Sequence, residues 1–147
     1  MSCYLRGSGL FQVHTYRTRE TRLLKLNIDG GLSVEPLADY GKYPRERPCI
    51  TSWRNVYVYM MGGTEIFTPR GNVRTNTCRR YSLADNSWHN MPSLNFARSD
   101  SSACSMKDYV YVFCGIGDTG LGRGKHLKSI EKLLVHHLQN SQKTNEM

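Results

Sequence analysis

The residues best placed for chemistry are three glycines. In "YVYVFCGIGDTG", residues 109 to 120, an alternating apolar run ends in Gly115-x-Gly117-x-x-Gly120. A G-x-G-x-x-G after a strand is the fingerprint of a dinucleotide pyrophosphate site, where a helix N-terminus and bare backbone approach the phosphates. Glu131 falls in the region where such a site carries its ribose-binding acid. That reading makes the chain a nucleotide-dependent oxidoreductase. It requires a βαβ unit, and the roughly nine residues after 138 are polar and hold no second strand. "LKSIEKLLVHHL", 127 to 138, reads as helix by its apolar spacing and as strand by the repeat described below. The histidines form no H-E-x-x-H pattern, and no G-x-S-x-G is present, so the expectation is a protein without catalytic residues, metal or cofactor.

The elements around the glycines recur. A shift of 52 residues places Tyr57 on Tyr109, Val58 on Val110, Tyr59 on Tyr111 and Gly63 on Gly115. Carried on, the same shift lays "TCRRYSL", 77 to 83, over "SIEKLLV", 129 to 135. The period-two alternation of Tyr and Val predicts half-buried strands. The best copy reads as four strands: "RPCITSW", "NVYVYMM", "TCRRYSL" and "WHNMPSL". A long polar loop over 64 to 77 and the turn "ADNS" separate its later members. "LLKLNIDGGLSVEPL", 23 to 37, reads as a strand, a turn and a strand, and "LFQVHTY", 10 to 16, as a worn strand.

Gly62-Gly63 after an apolar strand, then Tyr81, then Trp88, together with a period near 50 residues, make the chain resemble a kelch-repeat protein. The resemblance implies an all-β fold of kelch-type β-propeller blades, each a four-stranded antiparallel sheet. It divides the chain into an N-terminal segment (1–21), a partial blade (22–46), a complete repeat (47–97), a repeat lacking its last strand (98–135) and a polar tail (136–147). It also implies structural roles for Gly62, Gly63, Gly115, Tyr81, Trp88 and Arg98. The glycines allow close packing, the aromatics wedge between blades, and Arg98 opens a blade. A propeller needs at least four blades, so the two to three found here imply further blades or self-association.

The resemblance implies a function too: a non-catalytic protein–protein interaction module, in a substrate-recruiting or scaffold role. The formal net charge is +8, with 20 Lys and Arg against 12 Asp and Glu, which favours an acidic partner. In an up-and-down blade the loops near 39–48, 64–77, 95–100 and 116–128 share one face. They carry Arg45, Arg70, Arg74, Arg123 and Lys125, the expected anchors for an acidic protein segment. The basic residues are dispersed along the chain, which ranks nucleic acid below protein as the partner. No apolar run approaches the length of a membrane span. Five widely spaced cysteines without a C-x-x-C point to a reducing, cytoplasmic setting, with Cys104 and Cys114 expected as buried thiols.

Overall fold

The computed structural model describes residues 43, 45–118 and 124–135 with their side chains, and the backbone of 2–5, 8–15, 20–27 and 33–36. Among the described residues every regular element is a β-strand, gathered into small antiparallel sheets, none of which closes into a barrel. The N-terminal sheet runs β1 (Ser2–Leu5), β2 (Ser8–Thr15), β3 (Glu20–Asn27), β4 (Ser33–Pro36). Two of its four strands, β1 and β2, precede Glu20.

The second unit opens with a short strand, β5 (Arg45–Glu46). It continues through β6 (Cys49–Trp53), β7 (Tyr57–Met61), β8 (Thr64–Thr68), β9 (Gly71–Arg74), β10 (Cys78–Ser82) and β11 (Ser87–Met91). The third unit repeats this order as β12 (Arg98–Ser99), β13 (Ser102–Met106), β14 (Tyr109–Phe113), β15 (Ile116–Asp118), β16 (Gly124–His126) and β17 (Ile130–Leu134). Each unit builds two sheets. The larger are β6-β7-β10-β11 and β13-β14-β17; the smaller are β5-β8-β9 and β12-β15-β16. The stretches expected as long loops, 64–77 and 116–128, therefore contain hairpins. Ile130–Leu134 is a strand, which settles the helix-or-strand question there in favour of the repeat.

Strand pattern explains how the larger sheets meet. Register puts Cys49, Met61, Cys78 and Met91 in one row across β6, β7, β10 and β11. With Trp53, Tyr59 and Leu94 they pack against Val110, Val112, Leu133 and Val135 of the third unit, forming the largest apolar cluster. Alternation is what allows this: Tyr59 and Met61 serve one face of β7, while Val58 joins Tyr81, Ile50 and Trp88 on the other. Tyr81 and Trp88 are directly paired, with ring centroids 5.3 Å apart. Two polar links run from β6 to β13 and the turn that follows it. Trp53 Nε1 donates to the Lys107 carbonyl at 2.6 Å, and the Ser105 hydroxyl to the Ser52 carbonyl at 2.6 Å.

The buried thiols are Cys49 and Cys78, whereas Cys104 and Cys114 are exposed, the reverse of the expectation for the latter pair. Cys104 lies on β13 between exposed Ser102 and Met106. Cys114 occupies the repeat position of Gly62 and shares its left-handed backbone, φ 55° against 62°. Burial pushes the Cys49 and Cys78 thiols up to about 12. Their folded pKa thus lies above the unfolded one, so their contribution to stability is intact below about pH 9 and lost as pH rises toward 12. Urea unfolding at pH about 10.5 should show a loss of roughly 2 kcal/mol per thiol relative to pH 7.5. Stability unchanged over that interval would contradict the burial.

Gly63 has φ 96°, and an added Cβ would lie 2.9 Å from both Arg45 Cγ and the Glu46 carbonyl oxygen. Gly63→Ala should cost about 1–3 kcal/mol and lower Tm by roughly 3–10 °C in a thermal melt.

Candidate functional site

The glycine fingerprint can be judged on geometry. Gly115 has φ 97°, the counterpart of Gly63 at 96°, and its missing Cβ leaves room for the Ser99 carbonyl, which a Cβ would meet at 2.7 Å. Gly117 sits within β15 against the Leu127 side chain. Gly120 lies outside the described residues. Both described glycines serve backbone packing, and the chain that follows enters β16 and β17 instead of a helix. The βαβ arrangement that a pyrophosphate site requires is therefore not formed by these residues.

Glu131, the expected ribose acid, is buried and already occupied. It accepts hydrogen bonds from the backbone N–H of Asn95 at 2.6 Å and of Phe96 at 3.3 Å, and it pairs with Arg98. Arg98 is fully buried. Its Nη1 donates to the Cys114 carbonyl at 2.8 Å and the Ser129 carbonyl at 3.3 Å, and its Nη2 to the Ser129 hydroxyl at 2.9 Å and to Glu131. Only a planar guanidinium with five donors can serve so many acceptors from one buried point. This residue is a staple between the spacer at 92–97, the strand end at 114 and β17.

Arg45 is the counterpart of Arg98 in the second unit. It is 5% exposed, and its Nη2 donates to Glu65 at 3.0 Å and to the Thr77 hydroxyl at 2.8 Å, where Thr77 holds the repeat position of Ser129. Arg45 is thus removed from the expected partner-binding set, because its charge is consumed inside the fold. Arg74 is mostly consumed as well. It is 21% exposed, pairs with Asp118 and donates to the Ser99 hydroxyl at 3.2 Å, tying β9 to the hairpin of the next unit. Arg123 lies outside the described residues.

Arg70 and Lys125 remain exposed, and neither has an ion pair among the described residues. Arg70 sits at the tip of the β8–β9 hairpin, between Thr68 and Gly71. Phe67 and Val73 on the same hairpin are exposed at 41% and 37%. Lys125 is on β16, beside exposed His126 and Lys128. The Arg74–Asp118 pair links the two hairpins, so exposed cations and exposed apolar side chains occur on neighbouring elements. Phe67 and Val73 were not legible as surface anchors, since both lie in what reads as a polar loop. Among the described residues no group of His, Cys, Asp and Glu is arranged to hold a metal ion. Nor is any helix there long and apolar enough to cross a membrane.

No protein-family profile matches the chain. Its fold is similar to that of the solved structure of YjhT, with a TM-score of 0.66 over 79% of this chain at 16% identity. The match spans about a third (33%) of the YjhT chain. At that identity the likeness speaks for the fold alone.

Arg98→Ala should destabilise the protein by about 3–5 kcal/mol, because Glu131 is left buried without its partner. Arg98→Lys should recover little, since an ammonium cannot span the same acceptors. Urea denaturation checks both; a loss under about 1 kcal/mol for the alanine variant would refute the staple.

Proposed function

We propose that the chain is part of a kelch-type β-propeller and acts as a protein-binding module without chemistry of its own. Three features support the propeller reading. Strand order in the second unit is sequential, β6-β7-β10-β11. The first strands of successive units neighbour one another, β1 beside β6 and β6 beside β13. The larger sheets of the second and third units stack face to face on apolar side chains. The likeness to YjhT accords with it at the level of fold.

The surface formed by the β8–β9 and β15–β16 hairpins is the binding site in this reading. The observation that carries it is that two hairpins linked by Arg74 and Asp118 carry exposed Arg70 and Lys125, neither with an ion pair among the described residues, and exposed Phe67 and Val73. An exposed arginine offers a carboxylate two parallel hydrogen bonds, and the adjacent apolar groups gain from being covered. The ligand class is an acidic protein segment that also carries apolar side chains, such as Leu or Phe between Glu and Asp. This role suits recruitment or scaffolding.

Fluorescence anisotropy with a labelled peptide of alternating Glu and Leu tests the site. Binding should weaken about tenfold in the double variant Arg70→Glu, Lys125→Glu, given roughly 1–3 kcal/mol for charge-assisted bonds. Binding that ignores the double variant sinks the reading. Two rival functions are read out alongside. A nucleotide-dependent oxidoreductase would change NADH fluorescence on titration, and a nucleic-acid binder would elute from a DNA column with steep salt dependence.

A further inference from the structure

Where the larger sheets of the second and third units meet, two hydrogen-bond donors are shut away from water without an acceptor. Register sets Tyr59 of β7 opposite Arg80 of β10, on the face of the second unit that packs against the third. Tyr59 is fully buried. Its hydroxyl and the Nε of Arg80 are both buried, and neither has a hydrogen-bond partner among the described residues. Buried polar atoms in native proteins are nearly always satisfied, so an orphaned pair at one place calls for a ligand.

Arg80 is held by uncharged groups. Its guanidinium lies over the Tyr57 ring at 4.1 Å, and its Nη1 donates to the Val135 carbonyl of the third unit at 3.2 Å. Among the described residues no carboxylate pairs with it. Thr51 and His89 complete the row that Tyr59 and Arg80 share. Thr51 carries no charge, and His89 is engaged by the Ser87 hydroxyl at 3.1 Å and by Asp85 at 3.8 Å. The charge of Arg80 is therefore left to a π face and one peptide carbonyl, a weak answer for a cation between two sheets.

Burial pushes the Tyr59 phenol up to about 12, against the pull of the Arg80 cation beside it, so the hydroxyl keeps its proton at neutral pH. A charged N–H and an O–H thus lie near one another, each able to donate. A water molecule accepts from both, but it brings two hydrogens of its own into a contact whose other side is Val110, Val112 and Leu133. An anion accepts from both, brings no hydrogen and supplies the countercharge. The third unit shows the contrast. Its counterpart pair is Tyr111 opposite Lys132, and Lys132 is exposed, so solvent meets its charge.

We propose that the Tyr59 hydroxyl and Arg80 Nε bind a small monovalent anion of chloride size between the second and third units. Full burial of Tyr59 favours a monatomic ion over phosphate or a carboxylate side chain. The ion reinforces the Arg80–Val135 link between the two sheets. It is lost when they separate, which makes the stability of the fold depend on halide concentration. This site requires only the contact between the second and third units, and neither the propeller reading nor the hairpin surface.

Thermal melts in about 0.2 M sodium chloride and in about 0.2 M sodium gluconate test it, since screening is then equal in the two salts. Tm should be about 3–6 °C higher in chloride, the shift for a ligand at roughly ten times its Kd. Tyr59→Phe keeps the ring and removes the hydroxyl; Arg80→Met keeps the stem and removes the charge. Each should shrink the difference between the salts to under about 1 °C. Crystals of the wild-type protein soaked in bromide give a readout that needs no variant. An anomalous peak should lie within hydrogen-bond distance of both the Tyr59 hydroxyl and Arg80 Nε. Equal melting of the wild-type protein in the two salts overturns the proposal. So do a chloride dependence that survives both substitutions, a bromide map without that peak, or a native map with water alone at the site.

Discussion

The buried guanidinium of Arg98 is the constraint on which the third unit depends. It lies where an apolar spacer, a strand end and the first residues of β17 converge, and each brings a carbonyl, hydroxyl or carboxylate that has lost its water. A buried cation of this kind is tolerated only because nearly every donor finds an acceptor and one acceptor is charged. Glu131 completes the set by capping the amides of Asn95 and Phe96, so the spacer is held by the same carboxylate that neutralises the arginine. Sheet faces stack through apolar contact, which has no direction of its own. The polar staple supplies the direction and fixes where one unit hands over to the next.

The second unit solves the same problem with a different acid. Arg45 reaches Glu65 on β8, whereas Arg98 reaches Glu131 on β17; the hydroxyl partner, Thr77 or Ser129, stays in register. The repeat thus preserves the cation and its hydroxyl and lets the anion come from another strand. The position of Glu65 is taken in the third unit by Gly117, which packs against Leu127, and the position of Glu131 is taken in the second by Arg79. Basic residues counted along the chain therefore overstate the charge available for binding. Arg45 and Arg98 work inside and Arg74 links hairpins, whereas Arg70 and Lys125 are exposed.

Much of the strand pattern was legible because Tyr57–Met61 and Tyr109–Phe113 alternate cleanly and end in glycine or its substitute. Arg45 was not, and the reason is one residue. The loop from β6 to β7 spans residues 54–56, while that from β13 to β14 spans 107–108. Counterparts are therefore 53 apart before the loop and 52 apart after it, so a single shift lays Arg98 on Glu46 and hides its twin. The two hairpins within 64–77 and 116–128 escaped for another reason. Their strands are short and polar, as in "GNVR" and "GKH", and are held by tertiary pairing with no alternation to announce them. The N-terminal sheet was half visible because β1 and β2 lack the glycine step that marks the later units.

The unequal hairpins carry a consequence of their own. Each unit has one end where chain length is free and one where it is not. At 54–56 and 107–108 an added residue is absorbed in a turn, and the strands beyond keep their phase. At Gly62-Gly63 and Cys114-Gly115 the backbone is wedged against Arg98, Glu46 and Ser99, and a single insertion would reverse which side chains meet the neighbouring sheet. The architecture is thus gauged from the staple outward. Register is reset at every unit boundary, so an error of length in one unit is not passed on to the next.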